Sequence, residues 1–222
     1  MTNQTYNRYL AVPQSGQGAG VLVLHAWWGL NDFIREFCDR LAQEGFVALA
    51  PDLYSGKIAR TVEEAEQLIN QWDEEQVVPT ILLPAVEDLR KHAAVTSNGL
   101  GVVGFSMGAY WSLWLAQQKP EIFRAVTVFY GTDGGTGDYQ QAKAAFMGHF
   151  AETDPYEPDE GVQALEKNLR NANRPAAFFT YPHTGHWFFE KDRKDAYNVQ
   201  AAQTAWERTT AFLHEHLEEI AA

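Results

Sequence analysis

Short runs of consecutive apolar residues alternate along this chain with stretches whose apolar residues recur every three or four positions. The runs fall at 21–24, 46–50, 100–103, 125–129, 145–148 and 176–180, with a weaker one at 9–12. They are rich in Val, Leu and Phe and do not alternate with polar residues, which predicts strands covered on both faces of a mostly parallel sheet. Helical spacing lies between them. Phe33, Ile34, Phe37, Cys38 and Leu41 share a face before Gly45, and Thr61 with Glu64 forms a capping box ahead of a run to Gln71. Helices are also expected over 80–93 and 109–118, on the face of Val162, Leu165 and Leu169, and through Ala205, Phe212, Leu213 and Leu217. Repeated β-α units with no break in composition predict one doubly wound α/β domain over 1–222, with helices on both faces of the sheet.

One junction in this alternation carries chemistry. Residues 101–110 read GVVGFSMGAY, so Gly104 and Gly108 bracket Ser106 in the pattern G-x-S-x-G, where a strand run stops and a helical run begins. A serine on that corner needs a cramped backbone, and the glycines keep neighbouring side chains out of its way. The pattern alone also arises by chance. Its weight comes from Asp154 and His186, each of which follows a later strand run, giving the chain order Ser, Asp, His of a nucleophile-elbow hydrolase. A serine hydroxyl is a poor nucleophile until a histidine takes its proton, and a carboxylate fixes the tautomer of that histidine. The oxyanion requires backbone N–H donors, one from Met107 and one from the loop HAWWGLN after the 21–24 strand.

Other readings of the same residues stand beside this one. Asp133 also follows a strand run between Ser106 and His186 and rivals Asp154 as the acid, while Asp154 before Pro155 also suits a turn. Asp52 reads as a turn residue. His186 next to Trp187 also suits a hydrogen-bonded structural histidine, and His183 with His186 makes an H-x-x-H pair that no helix or cysteine cluster supports as a metal site. No metal and no cofactor is expected. Cys38, Trp111 and Trp114 read as core. Trp28, Tyr130 and Trp187 are candidates for a substrate pocket, with core packing as the alternative. The glycine-rich loop 131–137 is expected to be mobile.

Composition removes other function classes. The net charge of −12, with no Lys/Arg stripe, argues against nucleic acid and anionic membrane as partners. A single cysteine excludes an internal disulfide. Residues 1–13 lack the charged start and apolar core of a signal peptide and no segment is long enough to span a bilayer, so a cytoplasmic location is expected.

Taken as whole segments, the chain resembles the dienelactone hydrolase family of the α/β-hydrolase fold. The resemblance runs through HAWWGLNDFIREFCDRLAQEGFVALAPDLY, VGFSMGAYWSL, GHFAETDPYEP and YPHTGHWF. It implies Ser106 as nucleophile, Asp154 as acid, His186 as base, and Trp27 and Met107 as oxyanion donors. Serine stands where the dienelactone-cleaving members have cysteine, and Ala26 stands where they have a glutamate that partners the resting thiol. Glu190 occupies the place of an arginine that grips a substrate carboxylate, so a negative charge is expected there and dienelactone is not the expected natural substrate. The resemblance implies a cofactor-independent serine hydrolase acting on a small carboxylic ester, lactone or thioester. The alternatives are the same triad acting on a peptide or phosphoester, or a non-catalytic binding protein that retains the fold.

Overall fold

The structure is a computed structural model describing residues 6–217. Residues 1–5 and 218–222, assigned above to the same domain, lie outside the described residues. Seven strands form one sheet in the order β1-β3-β2-β4-β5-β6-β7. They are β1 (Arg8–Ala11), β2 (Gly20–Leu24), β3 (Val47–Pro51), β4 (Leu100–Phe105), β5 (Phe123–Phe129), β6 (Ala145–Thr153) and β7 (Ala176–Gly185). β1 runs antiparallel to β3, and every other pair is parallel.

The unbroken apolar runs follow from burial on both faces. In β2, Val21 and Val23 enter one core while Leu22 and Leu24 enter the other. β4 repeats the division, with Val103 and Phe105 on the first face and Leu100 and Val102 on the second. Helices α1 (Asp32–Gln43) and α7 (Val199–Leu217) cover the first face through Phe33, Phe37, Leu213 and Leu217. The second face is covered by α4 (Leu83–Arg90), α5 (Met107–Gln118) and α6 (Asp159–Asn171) through Leu89, Leu113 and Leu165. Each such leucine or phenylalanine contributes roughly 1.5–3 kcal/mol through its removal from water. Cys38 and Trp111 are buried in these cores, and Trp114 is partly buried against the second. No helix among the described residues is long and apolar enough to cross a membrane.

Side-chain caps fix the starts of two helices. Asn31 accepts the N–H of Ile34 at 3.1 Å to start α1, and Thr61 Oγ1 accepts that of Glu64 to start α2 (Val62–Asn70). The helix expected over 80–93 begins earlier than its apolar spacing suggested. A short helix α3 (Glu74–Val77) runs into a wide π-helical turn, Val78–Leu82, before α4. Pro79 and Pro84 lack the N–H groups a regular helix would use here, and the wider winding accommodates them.

Three strands end at least two residues later than expected. β4 continues to Phe105, β6 to Thr153 and β7 to Gly185. Polar residues such as His149 hid the continuation of β6. The ladder continues past it, pairing Phe150 with Thr180 and Ala151 with Tyr181, and the His149 ring is satisfied internally by Tyr181 and Thr209. As a result Ser106, Asp154 and His186 each occupy the first position after a strand, at the carboxyl edge where ligands bind in open α/β sheets. The chain reverses its direction of winding between β2 and β4, and the HAWWGLN loop and Ser106 leave from these two neighbours.

Candidate active site

Ser106 joins β4 to α5 at φ 51° and ψ −112°, a conformation that costs a non-glycine residue roughly 1–3 kcal/mol. Two features hold it there. Its N–H donates to the Phe129 carbonyl at 2.9 Å, and a side chain at Gly108 would collide with the Leu24 carbonyl. Gly104 is equally constrained, because a Cβ there would strike the Gly108 carbonyl and the Ser112 hydroxyl. The elbow thus packs directly against the end of β2.

Ser106 Oγ lies 2.9 Å from His186 Nε2, and His186 Nδ1 lies 2.7 Å from Asp154 Oδ2 and 2.9 Å from Oδ1. The His186 and Asp154 side chains are only 4% and 5% exposed, so the pair is nearly desolvated. The N–H groups of Tyr156 and Glu157 both donate to Asp154 Oδ1 at 3.0 Å, which anchors the carboxylate and points its other oxygen at the imidazole. With Nδ1–H donating to Asp154, Nε2 is left as the acceptor for the serine hydroxyl.

Asp133 goes elsewhere. It is buried, accepting from the Tyr139 hydroxyl at 2.5 Å and the Gly135 N–H at 2.9 Å. Side-chain hydrogen bonds tie the glycine-rich loop around it to its neighbours: Thr132 donates its N–H and hydroxyl to Glu157, and Asn168 Nδ2 donates to the Gly135 and Gly137 carbonyls. Glu157 links this loop to the acid segment, and burial raises its pKa above the usual carboxylate value. His183 does not join His186, because its ring is exposed beside Glu152. No group of three or more His, Cys, Asp or Glu among the described residues is arranged to hold a metal ion.

Met107 is the first residue of α5, so its N–H has no partner within the helix. Trp27 lies in the turn after β2, closed by the Gly29 N–H donating to the Ala26 carbonyl. His25 ties that turn down: Nδ1 donates to the Ala26 carbonyl at 2.6 Å and Nε2 accepts the Leu53 N–H at 3.1 Å. Burial keeps His25 neutral by lowering its pKa. The PDLY segment completes the support. Asp52 serves as the expected turn residue, accepting the Tyr54 and Gly56 N–H groups, while the Tyr54 hydroxyl reaches Met107 Sδ at 3.4 Å.

Of the expected pocket residues, Trp28 and Trp187 line a cleft of about 560 Å³ that opens beside His186. Tyr130 does not reach it. Its ring is fully buried behind His186, 4.9 Å between centroids, and its hydroxyl donates to Glu190 Oε1 at 2.8 Å. Glu190 also departs from expectation. It is fully buried, and burial pushes its pKa up to about 8. Buried and largely protonated at neutral pH, it offers a substrate no exposed negative charge. The sequence reading missed Tyr156, an exposed ring within 5.6 Å of Trp27, Trp187 and His186. Its place two residues after Asp154 was the available signal.

Comparison with known proteins gives a consistent picture. The model of the dienelactone hydrolase family matches residues 6–217. "Protein usf" of Aquifex pyrophilus is 34% identical over 215 residues, covering 94% of this chain and 93% of that protein. An Aquifex aeolicus protein named "Putative carboxymethylenebutenolidase" is 30% identical over the same shares of the two chains. A crystal structure titled "Putative Dienelactone Hydrolase", from Klebsiella pneumoniae, superposes with a TM-score of 0.80 at 25% identity, covering 94% of this chain and 92% of the other.

Proposed function

This chain belongs to the dienelactone hydrolase family, a family of hydrolytic enzymes, and from that premise we propose that it is a serine hydrolase of small carboxylic esters, lactones or thioesters working through an acyl-enzyme. Ser106 Oγ attacks the carbonyl carbon while His186 Nε2 takes its proton. Asp154 holds the imidazole in the required tautomer and stabilises the imidazolium. The N–H groups of Trp27 and Met107 receive the oxyanion, each contributing about 3 kcal/mol at the transition state. His186 returns the proton to the leaving alcohol or thiol. Water then repeats the sequence on the acyl-serine, releasing the acid and restoring the hydroxyl.

The observation that carries this reading is the unbroken run of hydrogen bonds from Ser106 Oγ through both His186 nitrogens to Asp154. A structural histidine would not require a strained serine at φ 51° as its partner. The lactone part of the range draws on the name of the Aquifex aeolicus relative, a butenolidase. The test is covalent labelling with a fluorophosphonate, followed by turnover of p-nitrophenyl acetate. The unaltered protein labels at Ser106, and Ser106→Ala neither labels nor turns over, with a loss in kcat of about five to six orders of magnitude. Full turnover by Ser106→Ala would remove the mechanism.

A further inference from the structure

We propose that the cleft beside His186 is a leaving-group subsite built for a flat, uncharged ring. The preferred substrates are then open-chain esters of ring-bearing alcohols. This rests on the hydrolase reading above and adds to it a side of the substrate and a chemical class.

The assignment to the leaving group follows from which residue of the triad borders the cleft. Its wall includes His186, the group that hands a proton to the departing oxygen, and does not include Ser106. The proposed oxyanion donors, the N–H groups of Trp27 and Met107, belong to residues that do not line the cleft. In the forward step the Ser106 Oγ–acyl bond forms and the acyl–O bond to the alcohol breaks. The proton that left Ser106 passes from His186 Nε2 to the alcohol oxygen. Water later adds to the acyl group, so ester and water yield acid and alcohol. The part of the substrate next to His186 when the bond breaks is therefore the alcohol.

The ring follows from what lines the cleft. Tyr156 and Trp187 provide aromatic surface, their centroids 5.1 Å apart, and the buried Trp28 backs Trp187 with centroids 5.2 Å apart. Tyr156 is 49% exposed, so one side of its ring is free to meet another. Charges at the rim nearly cancel. Arg60, Arg193 and Lys194 face Asp192 and Asp195, and Arg193 is already engaged, 3.2 Å from Asp192 and 3.8 Å over the Trp28 ring. A space of about 560 Å³ is large enough for a bicyclic ring. A small lactone keeps its alcohol tethered to the acyl carbon and leaves most of that space unfilled.

The experiment compares kcat/KM for ethyl, benzyl and 2-naphthylmethyl acetate, alkyl esters chosen so that ring size rather than phenol-like reactivity varies. Ethyl 2-naphthylacetate carries the ring on the acyl side as control. The 2-naphthylmethyl ester is expected to exceed the ethyl ester by about tenfold or more, and the control to show no such gain. Tyr156→Ala, which removes a wall, and Val62→Trp, which fills the cleft, should each lower the naphthylmethyl-to-ethyl ratio at least about fivefold. The ratio is independent of the fraction of folded protein. A ratio near one, a preference for the ring on the acyl side, or a ratio unchanged in both variants would overturn the subsite alone. Absence of turnover of every ester, together with absence of fluorophosphonate labelling, would overturn the hydrolase reading and the subsite with it.

Discussion

Replacing Glu190 by glutamine should change the pH dependence of stability more than its level at any one pH. The folded carboxyl titrates at about 8 against an ordinary 4.5, because burial disfavours its charged form. Between those values the folded chain holds a proton that the unfolded chain has released. Raising the pH through this window therefore favours unfolding, and the penalty is absent below about pH 4.5 and complete above about pH 8. Each pH unit costs the fold about 1.4 kcal/mol, so roughly 3 kcal/mol is lost between pH 5 and pH 7. Glutamine does not titrate and escapes that loss. Its oxygen can still accept the Tyr130 hydroxyl, but its amide N–H₂ enters a place where Glu190 Oε2 has no partner. Neutral Glu190 already places an unmet O–H donor there, so the amide adds a pH-independent offset below the roughly 1–3 kcal/mol of a newly buried unmet donor. The diagnostic is consequently the slope. Urea unfolding at pH 5, 6 and 7 should show the stability difference, variant minus unaltered protein, rising by about 1.4 kcal/mol per unit. Parallel curves would refute the claim that this carboxyl is neutral in the folded protein.

Asp154→Asn should lower kcat by about 10⁴-fold by favouring the wrong imidazole tautomer, whereas Asp133→Asn should leave the mechanism intact. Steady-state turnover of one ester by both variants decides between the two carboxyls, and the reverse ranking would move the acid to Asp133. Gly108→Ala should destabilise the fold by about 1–3 kcal/mol through its collision with the Leu24 carbonyl. Denaturant unfolding measures the loss, and an unperturbed midpoint would contradict the tight packing of the elbow on β2.

The parallel sheet was legible because burial on both faces imposes unbroken apolar runs, and Leu22 with Val23 shows both cores drawing on one strand. The elbow was legible because its backbone needs glycines at fixed offsets. Strand ends were less so. His149 and Glu152 in β6 looked like loop residues, and their partners, Tyr181 and the N–H of His183, come from about thirty positions downstream. Environment was the least legible property. Glu190 read as a negative charge because a sequence names the carboxyl but not its surroundings, and only its complete burial shows why it is neutral, against a Tyr130 hydrogen bond that favours the charged form. Tyr156 went unremarked for the same reason, since a ring becomes a wall only once its loop is placed.

The distances along the chain between the reacting groups bear on how the protein matures. The Ser106 hydroxyl and the His186 imidazole proposed as its base are 80 positions apart, and the imidazole follows the edge strand β7. A nascent chain ending before residue 176 would carry the proposed nucleophile without its proposed base. Ester turnover during refolding would therefore time the arrival of that last strand, making the enzyme a clock for its own assembly.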